Sequence, residues 1–117
     1  MLNDSGLQRV IDFLDDDLDV IAVGTGATPS RSARQLTEEV LRKTASETFI
    51  DGDVLIKELF LDETEANVTI TEWGIFCNGA SVVPGSGELF ASTGANITKN
   101  DTQSLTLSVE IEVVEVA

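Results

Sequence analysis

The sequence predicts a mainly β (α+β) fold, an antiparallel β-sandwich or open barrel with one or two short N-terminal helices. Three observations predict it. From residue 46 onward apolar and polar residues alternate with period two. Clusters of Gly, Asn and Asp separate these runs at turn-like intervals. The apolar residues are mostly Val, Ile and Leu, with five Phe, one Trp and no Tyr. At 117 residues the chain has the size of one domain. We read residues 1–117 as a single domain: an N-terminal helix or arm over 1–17, then a β-rich body over 18–117 with a short helix at about 33–44.

The first element spans residues 5–17. Ser5 can cap a helix, and Leu7, Val10, Ile11 and Leu14 recur at helical spacing, with Phe13 widening the apolar face. Asp15, Asp16 and Asp17 then oppose the helix macrodipole and end it. A calcium loop there would lack the glycine and the distal glutamate that such loops use. Residues 18–24 read as a strand and Gly24–Ser30 as a loop. Gly24-Thr25-Gly26 lacks the third glycine of a dinucleotide fingerprint and the Gly-Lys-Ser/Thr ending of a phosphate loop.

Over residues 33–44, Leu36, Val40 and Leu41 form a short stripe, with Glu38 and Glu39 early and Arg42 and Lys43 late, an order that suits a helix dipole. Arg31, Arg34, Arg42 and Lys43 make this the one locally basic region. Residues 47–50 and 53–61 read as a hairpin turning at Asp51-Gly52. In the strand over 67–77, alternation places Val68, Ile70 and Phe76 on one face and Trp73 and Ile75 on the other. Residues 88–92 and 96–99 read as two short strands. Residues 103–116 form the longest, with Leu105, Leu107, Val109, Ile111 and Val113 on its apolar face. Val113-Val114 breaks that alternation, which implies a bulge or burial of Val114 and Val116 against a partner.

Composition narrows the function. The balance of 21 acidic to 7 basic residues gives a formal net charge of −14, which disfavours direct contact with nucleic acid or anionic membrane. Two readings of that balance remain: a partner with a basic surface, or a halophile's composition, which few lysines beside many Asp, Glu, Ser and Thr resemble and in which salt screens self-repulsion. No apolar run approaches the roughly 18 residues of a membrane span, and residues 1–6 carry no secretion-signal pattern. The single cysteine, Cys77, lies in an apolar run and reads as a small buried hydrophobe.

Without histidine, a Ser-His-Asp triad, a Cys-His pair and a Cys/His zinc site are impossible. Carboxylate chemistry is the remaining catalytic route, with Glu58 and Glu72, each inside a strand beside apolar neighbours, as its candidates. We expect neither to be catalytic, and expect no metal and no cofactor. Three Asn-x-Thr triplets begin at Asn67, Asn96 and Asn100 and become sites only where a glycosylation system is met.

One series of motifs runs through most of the chain: Gly24-Thr25-Gly26, then Leu36-Thr37-Glu38-Glu39, then Glu72-Trp73-Gly74-Ile75-Phe76, then Leu89-Phe90-Ala91 and Lys99. In order and spacing it resembles small tail-associated proteins of tailed phages, including the base domain of tail-collar fibres. The resemblance implies a virion structural protein of the tail, baseplate or fibre attachment, made in the host cytoplasm. Its partners would be copies of itself and neighbouring tail proteins, with no catalytic residue. It also implies that Gly24, Gly26, Glu72, Gly74 and Phe76 form a structural signature. With Ala117 last and no shaft following, we expect an adaptor rather than a whole fibre, and the acidic composition suggests a virus of a salt-loving archaeon. Trp73, Val114, Val116, Arg31 and Arg34 are the candidate assembly residues. The alternatives are a capsid decoration or turret subunit and a glycan- or receptor-binding module in which Trp73 stacks on sugar.

Overall fold

The computed structural model describes residues 1–115. A helix, α1 (Asp4–Asp17), precedes seven strands: β1 (Val20–Gly24), β2 (Glu39–Thr44), β3 (Glu47–Asp51), β4 (Val54–Leu61), β5 (Thr69–Cys77), β6 (Glu88–Thr98) and β7 (Leu105–Glu112). They form two antiparallel sheets, one ordered β2-β1-β5-β6 and the other β3-β4-β7, and the fold is a sandwich rather than a closed barrel. The main core lies between the sheets. Ile21, Val23, Ile70 and Ile75 from the larger sheet meet Leu59, Leu61 and Leu107 from the smaller one. On the opposite side of the larger sheet, Val20, Ala22 and Phe76, with Leu89 of β6 beside Phe76, are covered by Leu36 and Ala80 from the loops. Strand β1 and the end of β5 are therefore buried on both faces, whereas Phe49 and Phe60 of the smaller sheet stay half exposed.

The helix starts slightly earlier than its sequence suggests. Asn3, not Ser5, occupies the cap position, and it makes no side-chain cap bond. Ile11 is fully buried, but Phe13 is 66% exposed and does not extend the packed face. Two of the three C-terminal aspartates, Asp15 and Asp17, have specific roles. The Lys57 ammonium donates to the Asp15 carbonyl at 3.0 Å and to the Asp15 carboxylate at 2.7 Å. Asp17 accepts the Asn78 amide at 3.1 Å. Lys57 stands on the inner face of β4 with Leu55, Leu59 and Leu61, so a buried cation meets the negative end of the helix.

The expected helix at 33–44 does not form. Residues 25–38 are loop, and 39–44 are strand β2. The register of β1 with β2 shifts where Val23 pairs with Leu41 and Gly24 with Glu39, leaving Val40 as an extra residue. That bulge puts Glu39 and Arg42 on one face of a strand, and an i,i+3 pair on one face is also what a helix would give. Alternation also fails in β5. Register shifts between Ile70 and Glu72, and Ile70 joins Ile75 in the inter-sheet core while Phe76 packs on the other side. The two short strands expected over 88–99 are one, β6, which continues through Gly94 with a further irregularity at Phe90. At the end of the chain, β7 stops at Glu112, and the Val113 amide donates to the Asp53 carbonyl at 2.9 Å. The hairpin between β3 and β4 turns as read, with Gly52 at φ +61°.

Replacing Lys57 by Met keeps the stem but removes the ammonium. We expect Lys57→Met to lower the unfolding free energy by about 1–3 kcal/mol, measured by urea denaturation, and to speed amide exchange within residues 4–17. An unchanged midpoint would mean that desolvation of the ammonium cancels its bonds.

Candidate functional site

Three of the signature residues, Gly24, Gly26 and Glu72, come together around one carboxylate. Glu72, on β5, is fully buried beside the end of β1. Its Oε2 accepts the Gly26 amide at 2.8 Å and the Glu38 amide at 2.7 Å, and its Oε1 accepts the Thr37 amide at 2.7 Å. A carboxylate thus closes the loop 25–38 onto the larger sheet through three backbone donors, which meet its oxygens as solvent otherwise would. The glycines follow from this. A Cβ on Gly24 would overlap the Glu38 carbonyl and lie 2.7 Å from Glu72 Oε2, and one on Gly26 would lie 2.6 Å from both Glu72 Oε2 and Thr37 Cβ. Gly74 serves a different contact, since a Cβ there would lie 2.6 Å from the Ala91 carbonyl of β6.

Phe76 lies on the same side and is fully buried. The Arg42 guanidinium sits 4.4 Å from its ring centroid. Arg42 also makes a bidentate pair with Glu39 at 2.8 Å for each bond, and donates to the Ser86 carbonyl at 2.9 Å. This second anchor holds the loop 78–87 over the sheet. The predicted basic patch is therefore divided. Arg42 is buried, Lys43 pairs with Glu65 at 2.9 Å, and Arg31 and Arg34 remain exposed on the loop. Lys99, also buried, donates to Asn67 at 2.8 Å.

Glu58 lies on the outer face of the smaller sheet, where it accepts the Ser108 hydroxyl at 3.0 Å. Glu72 lies on the far side of the larger sheet, so the whole sandwich separates the two and they cannot act on one bond as an acid–base pair. Among the described residues, no buried side-chain nitrogen or oxygen lacks a hydrogen-bond partner.

A further feature is an open cleft on the side of the sandwich where β6 and β7 are the edge strands. It measures about 230 Å³ and is lined by Trp73, Ile75, Ala91, Thr93 and Val109, with Glu110 at its rim. Trp73 is half buried, with part of its surface packed on the inter-sheet core. Of the other assembly candidates, Val114 is 67% exposed, and Val116 lies outside the described residues. Cys77 is half buried, and burial, then the charges of Asp17 and Glu88, push its thiol pKa up.

Sequence reasoning missed Lys57, Arg42 and Lys99 as buried structural cations. One signal was available: Lys57 occupies an inward position in the run Leu55-Ile56-Lys57-Glu58-Leu59-Phe60-Leu61. No protein-family model matches the chain, and a search of curated proteins finds no significant relative.

Two expectations follow. Glu72→Gln turns an amide NH₂ toward backbone donors, and we expect a loss of about 2–4 kcal/mol in urea unfolding, from one or two buried groups left unsatisfied; in a double-mutant cycle, Gly26→Ala should be strongly non-additive with it. The second concerns pH. The Lys43 hydrogen bond, then the Asp62 amide, holds the Glu65 carboxyl below its ordinary range. Its stabilisation is complete above the unfolded-state pKa and is lost as pH falls through the lower folded-state value. The urea midpoint should therefore fall on acidification below the ordinary glutamate range, and Glu65→Gln should reduce that slope.

Proposed function

We propose that this chain is a non-enzymatic structural subunit of the tail or baseplate of a tailed virus, assembling with copies of itself and with neighbouring tail proteins. The observation that carries this reading is the contrast between the inside and the outside of the sandwich. Inside, Glu72, Arg42, Lys57 and Lys99 are all engaged in bonds that hold the chain's own loops and helix. Outside, on the uncovered face of the smaller sheet, Phe49 lies opposite Ile56 and Phe60 lies four residues further along β4, at 50% and 45% exposure. Large apolar side chains left exposed on a sheet face suit burial against another molecule. The motif series from Gly24 to Lys99, which resembles tail-collar base domains, supplies the kind of assembly.

The charge pattern fits a salt-loving host. Of the 21 acidic residues only Glu72 is buried, whereas three of the seven basic residues are. The surface is thus more one-signed than the composition alone implies, and salt relieves its repulsion.

Light scattering across protein concentration in molar KCl tests self-association. We expect oligomers that the Phe49→Ser/Phe60→Ser double variant weakens about tenfold, as loss of about 1.4 kcal/mol implies. A species monomeric at every concentration and salt level would overturn the self-assembling reading. Imaging of intact particles decides the location: labelling in the tail supports the proposal, and labelling on the head shell would transfer the chain to the capsid-decoration alternative.

A further inference from the structure

The two sheets of the sandwich differ in width. Four strands, β2-β1-β5-β6, face only three, β3-β4-β7. On the side where β6 and β7 form the edges, the wider sheet overhangs, and the cleft beside Trp73 lies under the overhang. One more strand added to β7 would give four strands facing four and would fill that cleft.

The free edges differ in their readiness to accept a strand. β6 is interrupted by register shifts near Phe90 and again at Ala95 and Asn96, and such kinks blunt an edge. β7 pairs with β4 in unbroken register from Leu105 to Glu112, and it bonds to no second strand among the described residues. Its unpaired backbone is therefore regular along its length. Alternation then sets what an added strand must carry. Side chains facing inward would meet Trp73, Ile75 and Val109, and those facing outward would lie beside Glu110 and Glu112.

We propose that this side is a strand-acceptor groove, completed by an extended segment of another protein that alternates apolar with basic residues and pairs with the edge of β7. The proposal rests on reading the chain as an assembly subunit and names the chemistry of one neighbour. The cleft is smaller than the 300–1,000 Å³ common for small-molecule sites, and its lining suits the side chains of a strand. A second copy joined through β7 fits poorly. Antiparallel pairing about a two-fold axis keeps both inner faces on the same side, so each copy's overhanging β6 would compete for the space above the other's β7. A second copy would also set its own Glu110 and Glu112 against these.

The test uses a capped peptide of β7's length in which valine and lysine alternate. A second peptide has the same sequence but carries backbone N-methyl groups at every other residue, which abolish edge pairing and keep charge and composition. Trp73 is the only tryptophan and there is no tyrosine, so intrinsic emission reports on this cleft alone. We expect the first peptide to shift Trp73 emission to the blue in molar KCl, and the N-methylated peptide to bind about tenfold more weakly or worse. Ala91 is exposed at the cleft, so Ala91→Phe should fold normally by circular dichroism and still lose about tenfold in binding of the labelled peptide, read by anisotropy. Equal binding of the two peptides, or undiminished binding by Ala91→Phe, would overturn the proposal. A blue shift that grows with protein concentration alone and vanishes in Ala91→Phe would also overturn it, by making a second copy the occupant. Each of these outcomes leaves the location of the chain in a particle to the imaging described above, so the groove and the tail assignment can fail separately.

Discussion

The fold depends on a carboxylate that is removed from water and given three backbone amides in exchange. Without Glu72, the amides of Gly26, Thr37 and Glu38 would have no acceptor, and the loop 25–38 would lose its attachment to the sheet. That loop carries Leu36 onto Val20, Ala22 and Phe76, so the second hydrophobic cluster depends on the same contact. The neighbouring glycines are a steric consequence of the arrangement, because the carboxylate together with Thr37 and the Glu38 backbone that it holds occupies the volume that side chains at positions 24 and 26 would need. A polar interaction here fixes where an apolar layer forms.

The same logic recurs with the opposite sign of charge. Lys57 ties the helix to the smaller sheet, and Arg42 ties the loop 78–87 to the larger one. Each is a cation on a strand that reaches backbone carbonyls as well as carboxylates. Irregular segments have backbone groups that no sheet satisfies, and a long charged side chain can serve several of them at once. A chain with so few basic residues uses two of them in this way and buries a third, Lys99, against the Asn67 side-chain oxygen, and the outer surface is left strongly anionic.

Period-two patterning made most of the strands readable, because β3, β4 and β7 pair without interruption and each side chain keeps its expected face. The reading failed where pairing is irregular. At Val40 an extra residue made a strand mimic helical spacing, and between Ile70 and Glu72 a register shift moved two apolar residues to opposite layers. The signature of Gly24, Gly26, Glu72, Gly74 and Phe76 was visible as a set, but the contact that joins its first three members was not. The donors to Glu72 are backbone groups, and every residue type except proline has one, so residue identity carries no mark of them. The cleft at Trp73 was equally hidden, since the overhang of one sheet over the other depends on strand order and not on any single motif.

The kinks in β6 have a consequence for solubility. From Leu89 to Thr98 this edge strand has no charged residue, so it lacks the gatekeepers that commonly prevent unwanted stacking of sheets into aggregates. Ionic gatekeeping weakens as electrolyte accumulates, because the reach of a surface charge shrinks to a few ångströms in concentrated brine. A deformed backbone keeps its shape under those conditions. At this edge, geometry protects under conditions where charge would fail.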